Sequence, residues 1–422
     1  MRRHRGASEM PTKLRRLLSR ASNTRSLPCG AATVPLHRST CGLVPSLSRA
    51  NVRDALRLRA VGLEILSGSS GRPAFPSCSD RTWNVFLRTE RCAIALKARL
   101  VEAGWPVPDQ IEQAATRELQ RVLSARGQLQ RIARLVSAHG MPAIVLKGGV
   151  AALVSPRPVD LTDVDVLVRA PDAERLAALL EGEGLRATGP AGTAHLAQRI
   201  APNDVQVEVH FGLNEFELDE AIWSRARPVD RAAGLSRLGA VDHLWHLLLH
   251  TVVIHSYRRG ALRDVLLIAE AIGDCDAAAI ATVERRVSAH PLSRQLGDLL
   301  AMARELRDGL PVEDRFRREA AANYVLRGPL RLQYSRFWMT AFLTALFAQL
   351  GGATDRRLEW ATAWQRPPFP SPWGLAARLE HRWPTLGRWC RTATRVARLV
   401  VARAAAWPVA AVVRYVSGAA GG

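Results

Sequence analysis

The sequence predicts an α+β protein, ordered as helices, then a small α/β unit, then a helical domain. Three observations predict it. Apolar residues recur at i, i+3, i+4 and i+7 over 83–104 and 108–139. Between 143 and 211 that period gives way to short apolar or alternating runs, the signature of strands. Helical spacing then returns over 240–256, 260–272, 276–289 and 291–308. With 422 residues, 48% of them hydrophobic, the chain is long enough for two or three domains and a sizeable core.

Residues 1–80 are rich in Arg, Ser, Pro and Gly, with few runs of helical period. They share the basic, Ser-rich, acid-poor character of a transit peptide and lack the apolar stretch of a secretory signal. The expectation for them is a disordered basic segment, or an over-extended start, in preference to a targeting role. Two leading helices follow within 81–142, broken at 104–108 and closed by Gly140, Met141 and Pro142. The core unit, 143–217, then reads as a short buried strand at 143–146, the first turns of a helix at 149–154 and a second strand at 164–168. A helix over 171–184 follows, opened by Pro171, which tolerates a missing amide hydrogen there. In 205–211, Val205, Val207, Val209 and Phe211 point one way and Gln206, Glu208 and His210 the other. The expected helical domain spans 218–320. The remainder, 321–422, divides into an apolar helix, a Pro-rich linker at 367–372 and a basic tail. Residues 337–354 carry no charge, but Thr340, Thr344, Gln349 and a Gly pair favour a buried core helix over a membrane span.

The formal net charge of +21 suggests nucleic acid until it is mapped. Residues 1–60 hold +11 and residues 356–422 hold +9, which leaves +1 for everything between. A domain that grips a phosphate backbone concentrates Lys and Arg beside its site, so the near-neutral middle argues against nucleic acid as substrate. In the tail, Arg388, Arg391, Arg395 and Arg398 fall on one helix face. Such a face suits an anionic membrane as well as solvent, and makes 386–415 the expected peripheral membrane contact. Cys29, Cys41, Cys78, Cys92, Cys275 and Cys390 form no CxxC pair and read as free thiols of a reducing compartment. The expected location is cytoplasmic, with the tail against the inner membrane face. Arg replaces Lys almost everywhere, 56 to three, a bias typical of GC-rich bacterial genomes.

One of the three lysines opens the stretch that carries chemistry. Asp163 and Asp165 lie one residue apart on a predicted strand, so both carboxylates share a face while Val164, Val166 and Val168 face the core. Two buried carboxylates repel each other, and a divalent cation is the simplest compensation. Glu208 supplies a third oxygen ligand if its strand lies beside the first. Three such carboxylates can hold one or two Mg²⁺ ions that bridge nucleotide phosphates. Gly148 and Gly149, lacking Cβ atoms, allow close approach to amide hydrogens where a helix begins.

An apolar strand, a Gly pair, thirteen residues and then Asp163-Val164-Asp165 resembles the signature of polymerase-beta-like nucleotidyltransferases. More narrowly, VLKGG, DVDVLVR, VEVHFGL, HLLLHTVVIH and LRDVLLIAE resemble the bacterial family described as uncharacterised nucleotidyltransferases, over roughly 83–310. The resemblance implies a small mixed-sheet core flanked on both sides by helices. It implies that Asp163 and Asp165 bind metal, two Mg²⁺ ions, and that Glu208 completes the site, with a role as base for the acceptor. Gly148 and Gly149 would cradle the phosphates of an NTP donor, and Lys147 would neutralise developing phosphate charge or hold the sheet-edge carboxylates. His210 is the weakest of these assignments. The family often has an Arg four positions before the first Asp, where this chain has Val159, with Arg157 two residues further back.

The function so implied is metal-dependent transfer of an NMP, AMP first, from an NTP to an unidentified hydroxyl or phosphate acceptor, with release of pyrophosphate. The alternative is a degenerate nucleotide-binding or scaffolding protein held at a membrane by its basic tail. His243, His246, His250 and His255 tempt a metal assignment, but HExxH lacks its glutamate here and packing or a pocket role is favoured. No G-x-S-x-G elbow supports serine hydrolase chemistry.

Overall fold

The computed structural model describes residues 49–68, 71–188, 194–201, 204–213, 219–254 and 260–326, with a few positions between 400 and 411. The apolar run 337–354, the linker 367–372, nearly all of the basic stretch 386–415, and His255 lie outside the described residues. The described chain is α+β, with a seven-stranded mixed sheet.

Among the described residues, four helices come first: α1 Arg49–Ser67, α2 Asp80–Glu90, α3 Ala93–Glu102 and α4 Asp109–Ala138. The first of these corrects the expectation of disorder over the end of 1–80. Its buried stripe is Val52, Leu56, Arg59, Leu63 and Leu66, and an arginine at the centre of the stripe hides the helical period. The single helix expected over 83–104 divides at Arg91–Cys92. Arg91 adopts a left-handed conformation, φ 52°, and its amide donates to the Leu87 carbonyl at 2.9 Å. Glycine normally fills such a position, so nothing local announces the break.

The core unit runs β1 Ala143–Val145, α5 Gly148–Val154, β2 Asp163–Val168, α6 Ala170–Gly182, β3 Arg186–Thr188, β4 Gln198–Ile200 and β5 Gln206–His210. A short α7, Ala221–Arg225, leads to β6 Arg227–Pro228 and β7 Leu235–Arg237. Strand order is β3-β4-β5-β2-β1-β7-β6. Strand β2 is antiparallel to β1 and parallel to β5, while β1 is parallel to β7. Alternation sorts the residues as the sequence requires. Val145, Val164, Val166, Val168, Val207 and Val209 form one apolar face packed under α4 and α6, through Leu129, Ile132, Leu176 and Leu180. The other face carries a small cluster, Ile144, Leu146 and Leu167, and beside it the polar residues of β2 and β5.

Helices α8 Ala240–Leu249, α9 Leu262–Gly273, α10 Ala277–Ala289, α11 Ser293–Arg307 and α12 Arg317–Leu326 follow. They share one core with the leading helices: Leu56, Phe86 and Leu96 join Leu248, Ile268, Leu299 and Tyr324 in a single cluster. Helix α4, 30 residues and about 45 Å long at 1.5 Å per residue, enters this cluster with Ile111 and Ala115 and the sheet's with Val122 to Val136.

A buried ionic knot ties the two helical groups together. Arg59 donates from Nη1 to Glu90 at 2.7 Å, from Nε and Nη2 to the two Asp314 oxygens at 2.9 Å, and from Nη2 to the Gly260 carbonyl at 2.8 Å. Glu90 also accepts the Leu262 amide at 2.8 Å and the Tyr324 hydroxyl at 2.5 Å. Each of the three guanidinium nitrogens donates at least once, four bonds in all, which makes this burial tolerable. Breaking such a knot strands a charge in the core. The Arg59→Met variant should therefore unfold at a lower urea midpoint, with a loss of about 3–5 kcal/mol; a loss below about 1 kcal/mol would show that the knot contributes little.

Glu118 on α4 caps the start of α3 by accepting the Ile94 amide at 3.0 Å. Burial, reinforced by Asp160, raises its pKa from 4.5 to about 7. The folded protein thus favours the neutral acid, a contribution fully present below pH 4.5 and lost as pH rises through about 7. Glu118→Gln should remove this loss. Its stability relative to the parent should grow by up to about 3 kcal/mol between pH 4.5 and 8, read from denaturant unfolding at each pH; a pH-independent difference would refute the burial argument.

Candidate active site

The parallel β2–β5 ladder places Asp165 opposite Glu208, Asp163 opposite Gln206 and Leu167 opposite His210. Asp165, Glu208 and His210 therefore point from one face of two adjacent strands. His210 Nε2 donates to Asp165 Oδ1 at 2.9 Å and lies 3.4 Å from Glu208 Oε2. From the end of β1, Lys147 Nζ reaches the same Asp165 Oδ1 at 3.0 Å. The Gln198 amide, on β4, binds Glu208 Oε1. Asp163 is next on this face, with its carboxylate near the Thr162 hydroxyl at 3.3 Å.

Local backbone explains how Lys147 gets there. It holds φ 50° and ψ −128°, in the region that L residues avoid, at the turn from β1 into α5. The Leu146 amide bonds the Asp165 carbonyl at 3.0 Å, and the Gly149 amide folds back on the Leu146 carbonyl at 3.0 Å. This turn is so tight that a Cβ on Gly149 would stand 2.7 Å from Val145 Cγ2. A Cβ on Gly148 would meet Arg263 Nη2 at 3.1 Å. The glycines thus let α5 close onto β1 and let Arg263, from α9, approach the site.

Burial is the largest influence on every acidic group here. It raises the Asp163 pKa, and the Asp165 charge adds to the rise. Burial also opposes ionisation of Asp165, but Lys147 and His210 outweigh it and hold this carboxyl well below the ordinary range. Glu208 is lowered despite its burial, chiefly by its bond to His210. Burial disfavours the charged imidazole, yet the two carboxylates push His210 up to about 9. At neutral pH, Asp165 and Glu208 are carboxylates and His210 is cationic.

The loop that delivers β2 is anchored by a residue the sequence reading did not single out. Asp160 is buried, with Oδ2 on Arg91 Nε and Oδ1 on Arg121 Nε, both at 2.6 Å. Arg91 is the left-handed residue between α2 and α3, so that break aims its guanidinium at the β2 loop. Arg157, by contrast, pairs with Glu102 at 2.5 Å. Two more residues reach in from the helical body. Arg263 lowers the pKa of Asp163 and His250 that of Asp165. His250 begins a π-helical turn, His250–Ile254, a widened geometry that recurs at functional sites. His246 is buried, with its ring 5.8 Å from that of His250. His243 is made a weak base by burial and Arg237, with a pKa of about 4. Arg263 was legible only as part of the LRD run, and Asp160 had no signal of its own.

Asp165, Glu208 and His210 each offer one ligand atom, all within 4.8 Å of one another, as a divalent cation requires. Two carboxylates and an imidazole on a buried sheet face suit such an ion chemically. A family described as uncharacterised nucleotidyltransferase matches residues 86–308, more than half of the chain. The chain belongs to this family. It is a transferase of phosphorus-containing groups, with nucleotidyl transfer as its general activity and an NTP as the implied substrate. No curated protein and no solved structure matches it. The matched span starts within α2 and ends just after α11, so the family unit includes the helices that hold Asp160 and Arg263 in place.

In this nucleotidyltransferase the two Asp160 pairs differ in exposure, Arg91 being 11% and Arg121 39% exposed. Asp160→Asn should lower unfolding stability by about 3 kcal/mol, because it leaves Arg91 buried without its carboxylate. Arg121→Ala should cost under about 1 kcal/mol. Equal losses in denaturant unfolding would contradict this division.

Proposed function

We propose that this nucleotidyltransferase moves an NMP, with AMP the first expectation, from an NTP to a hydroxyl or phosphate acceptor. The observation that carries the reading is the convergence of Asp165 and Glu208 on adjacent parallel strands, with Lys147 on the same oxygen, inside a family of this activity. Asp163, Asp165 and Glu208 are the residues that would hold divalent cations, Mg²⁺ by the sequence expectation. Such ions, when bound, offset the charge of the donor phosphates and lower the pKa of the attacking hydroxyl.

The chain's own groups do the rest. Gly148 and Gly149, lacking Cβ atoms, would let the donor phosphates approach the turn into α5. Lys147 lies beside Asp165, where its fixed positive charge offsets negative charge developing on the transferred phosphoryl group, and Arg263 adds a second from α9. The acceptor oxygen forms a bond to the α-phosphorus as the bond from that phosphorus to the bridging oxygen breaks, and pyrophosphate leaves. Glu208, ionised at neutral pH, accepts the acceptor's proton. Helices α8 and α9, which bring His250 and Arg263, cover the side from which the acceptor enters and limit water there. The near-neutral charge of 61–355 favours a small acceptor over a polynucleotide. Free thiols at Cys78, Cys92 and Cys275 fit a cytoplasmic location, with the basic stretch 386–415 as its contact with a membrane surface.

The test uses the full chain. ATP with a divalent cation should raise its thermal midpoint, a stabilisation of about 2.7 kcal/mol at one hundred times Kd. Pyrophosphate should appear when cell extract supplies acceptors, and mass spectrometry should find a molecule that has gained AMP. Asp163→Ala and Asp165→Ala should each lower pyrophosphate release by ~100-fold or more. Stabilisation by ATP without pyrophosphate would indicate the degenerate binder instead, and the absence of both effects would overturn the site.

A further inference from the structure

Resting on the reading of this face as a metal site, we propose that His210 is itself a metal ligand. With Asp165 and Glu208 it makes a mixed nitrogen and oxygen site that takes Mn²⁺ in preference to Mg²⁺. Three observations carry this. First, spacing: His210 Nε2 lies 2.9 Å from Asp165 Oδ1 and 3.4 Å from Glu208 Oε2. Adjacent ligands of a six-coordinate ion with bonds of about 2.1 Å are about 3 Å apart. Nε2 thus stands from each oxygen at about the distance of a neighbouring ligand, and all three donor atoms lie within 4.8 Å of one another.

Second, composition: Asp165, Glu208 and His210 form the group within 4.8 Å, and Asp163 is not among them. The three-donor set that the described residues offer here therefore contains one nitrogen. Third, commitment: the His210 side chain is 8% exposed, and its Nδ1 has no hydrogen-bond partner among the described residues. Among those residues, the polar contacts of this ring are made by Nε2 and go to the two carboxylates. When an ion replaces the Nε2 proton, this ring exchanges its two carboxylate contacts for a bond to the metal that the same carboxylates hold. The proton leaves to solvent and the charge on the carboxylates is taken up by the metal.

The donor set decides the metal. Mg²⁺ is a hard cation that takes oxygen ligands and keeps much of its water, whereas an imidazole nitrogen favours the first-row transition ions, of which Mn²⁺ is the one best suited to the two carboxylates.

The test is spectroscopic and independent of turnover. Mn²⁺ is titrated into the full chain and followed by electron paramagnetic resonance, with Mg²⁺ as competitor; pulsed spectra of the bound ion report directly coupled nitrogen. The expected result is coupling to one histidine nitrogen, shifted on ¹⁵N-histidine labelling, and an affinity for Mn²⁺ at least tenfold above that for Mg²⁺. His210→Asp should keep Mn²⁺ binding, lose the coupling and reduce the preference, while His250→Gln should keep the coupling. The labelling experiment needs no variant, so a folding defect in His210→Asp does not remove the test. Bound Mn²⁺ without nitrogen coupling in the unaltered chain would overturn the role of His210 and leave the carboxylate site standing. No binding of Mn²⁺, alone or with a non-hydrolysable ATP analogue, would overturn both.

Discussion

The parallel register of β2 on β5 is the constraint on which the candidate site depends. Strands that run parallel and adjacent put residues of equal phase side by side, and here that phase brings Asp165 against Glu208 and, two residues on, Leu167 against His210. A slip of one residue would turn Val207 and Val209 toward the carboxylates and bury Glu208 under α6. The valines prevent it, because Val164, Val166, Val207 and Val209 all require the covered face. The apolar half of each strand thereby specifies where the acidic half meets.

Bringing carboxylates together on a buried face costs free energy, and the surrounding residues offset it. Lys147 and His210 compensate Asp165, and Gln198 and His210 hold Glu208. Lys147 reaches its position through an avoided backbone conformation, which the tight Gly148-Gly149 turn and the Leu146–Asp165 backbone bond maintain. Strain of this kind, about 1–3 kcal/mol, is tolerated where a side chain must be aimed.

The helical body is part of the same arrangement. Arg59 and Glu90 join α1 and α2 to α9 and α12. Arg91, the next residue along, leaves α2 in a left-handed turn and grips Asp160, three residues before the first acidic residue of β2. From α9, Arg263 fills the space that Gly148 leaves open. Leading and trailing helices thus form one support for a sheet inserted between them in sequence, and both ends of that support touch the site.

Much of this was legible from short-range pattern. Period-2 alternation in 164–168 and 205–211 identified the two strands and the shared face of Asp163 and Asp165, and helical period located α4, α6 and α8 to α11 within a few residues. Short strands β3, β4, β6 and β7 were not legible: at two or three residues, several of them exposed, they carry no periodic signal and exist because a neighbouring edge pairs with them. Helix α1 was missed because Arg59 occupies a core position that only a distant Glu90 and Asp314 make habitable. The same reason covers the site. By itself the sequence determined which residue types stand on which face of each element, since that follows from local geometry. Only the tertiary structure decided that His210 shares Asp165 with Lys147, that Asp160 is clamped by Arg91 and Arg121, and that Arg263 comes within reach. Those contacts join residues 18 to 115 positions apart, and their free energy depends on burial that no local stretch of chain possesses.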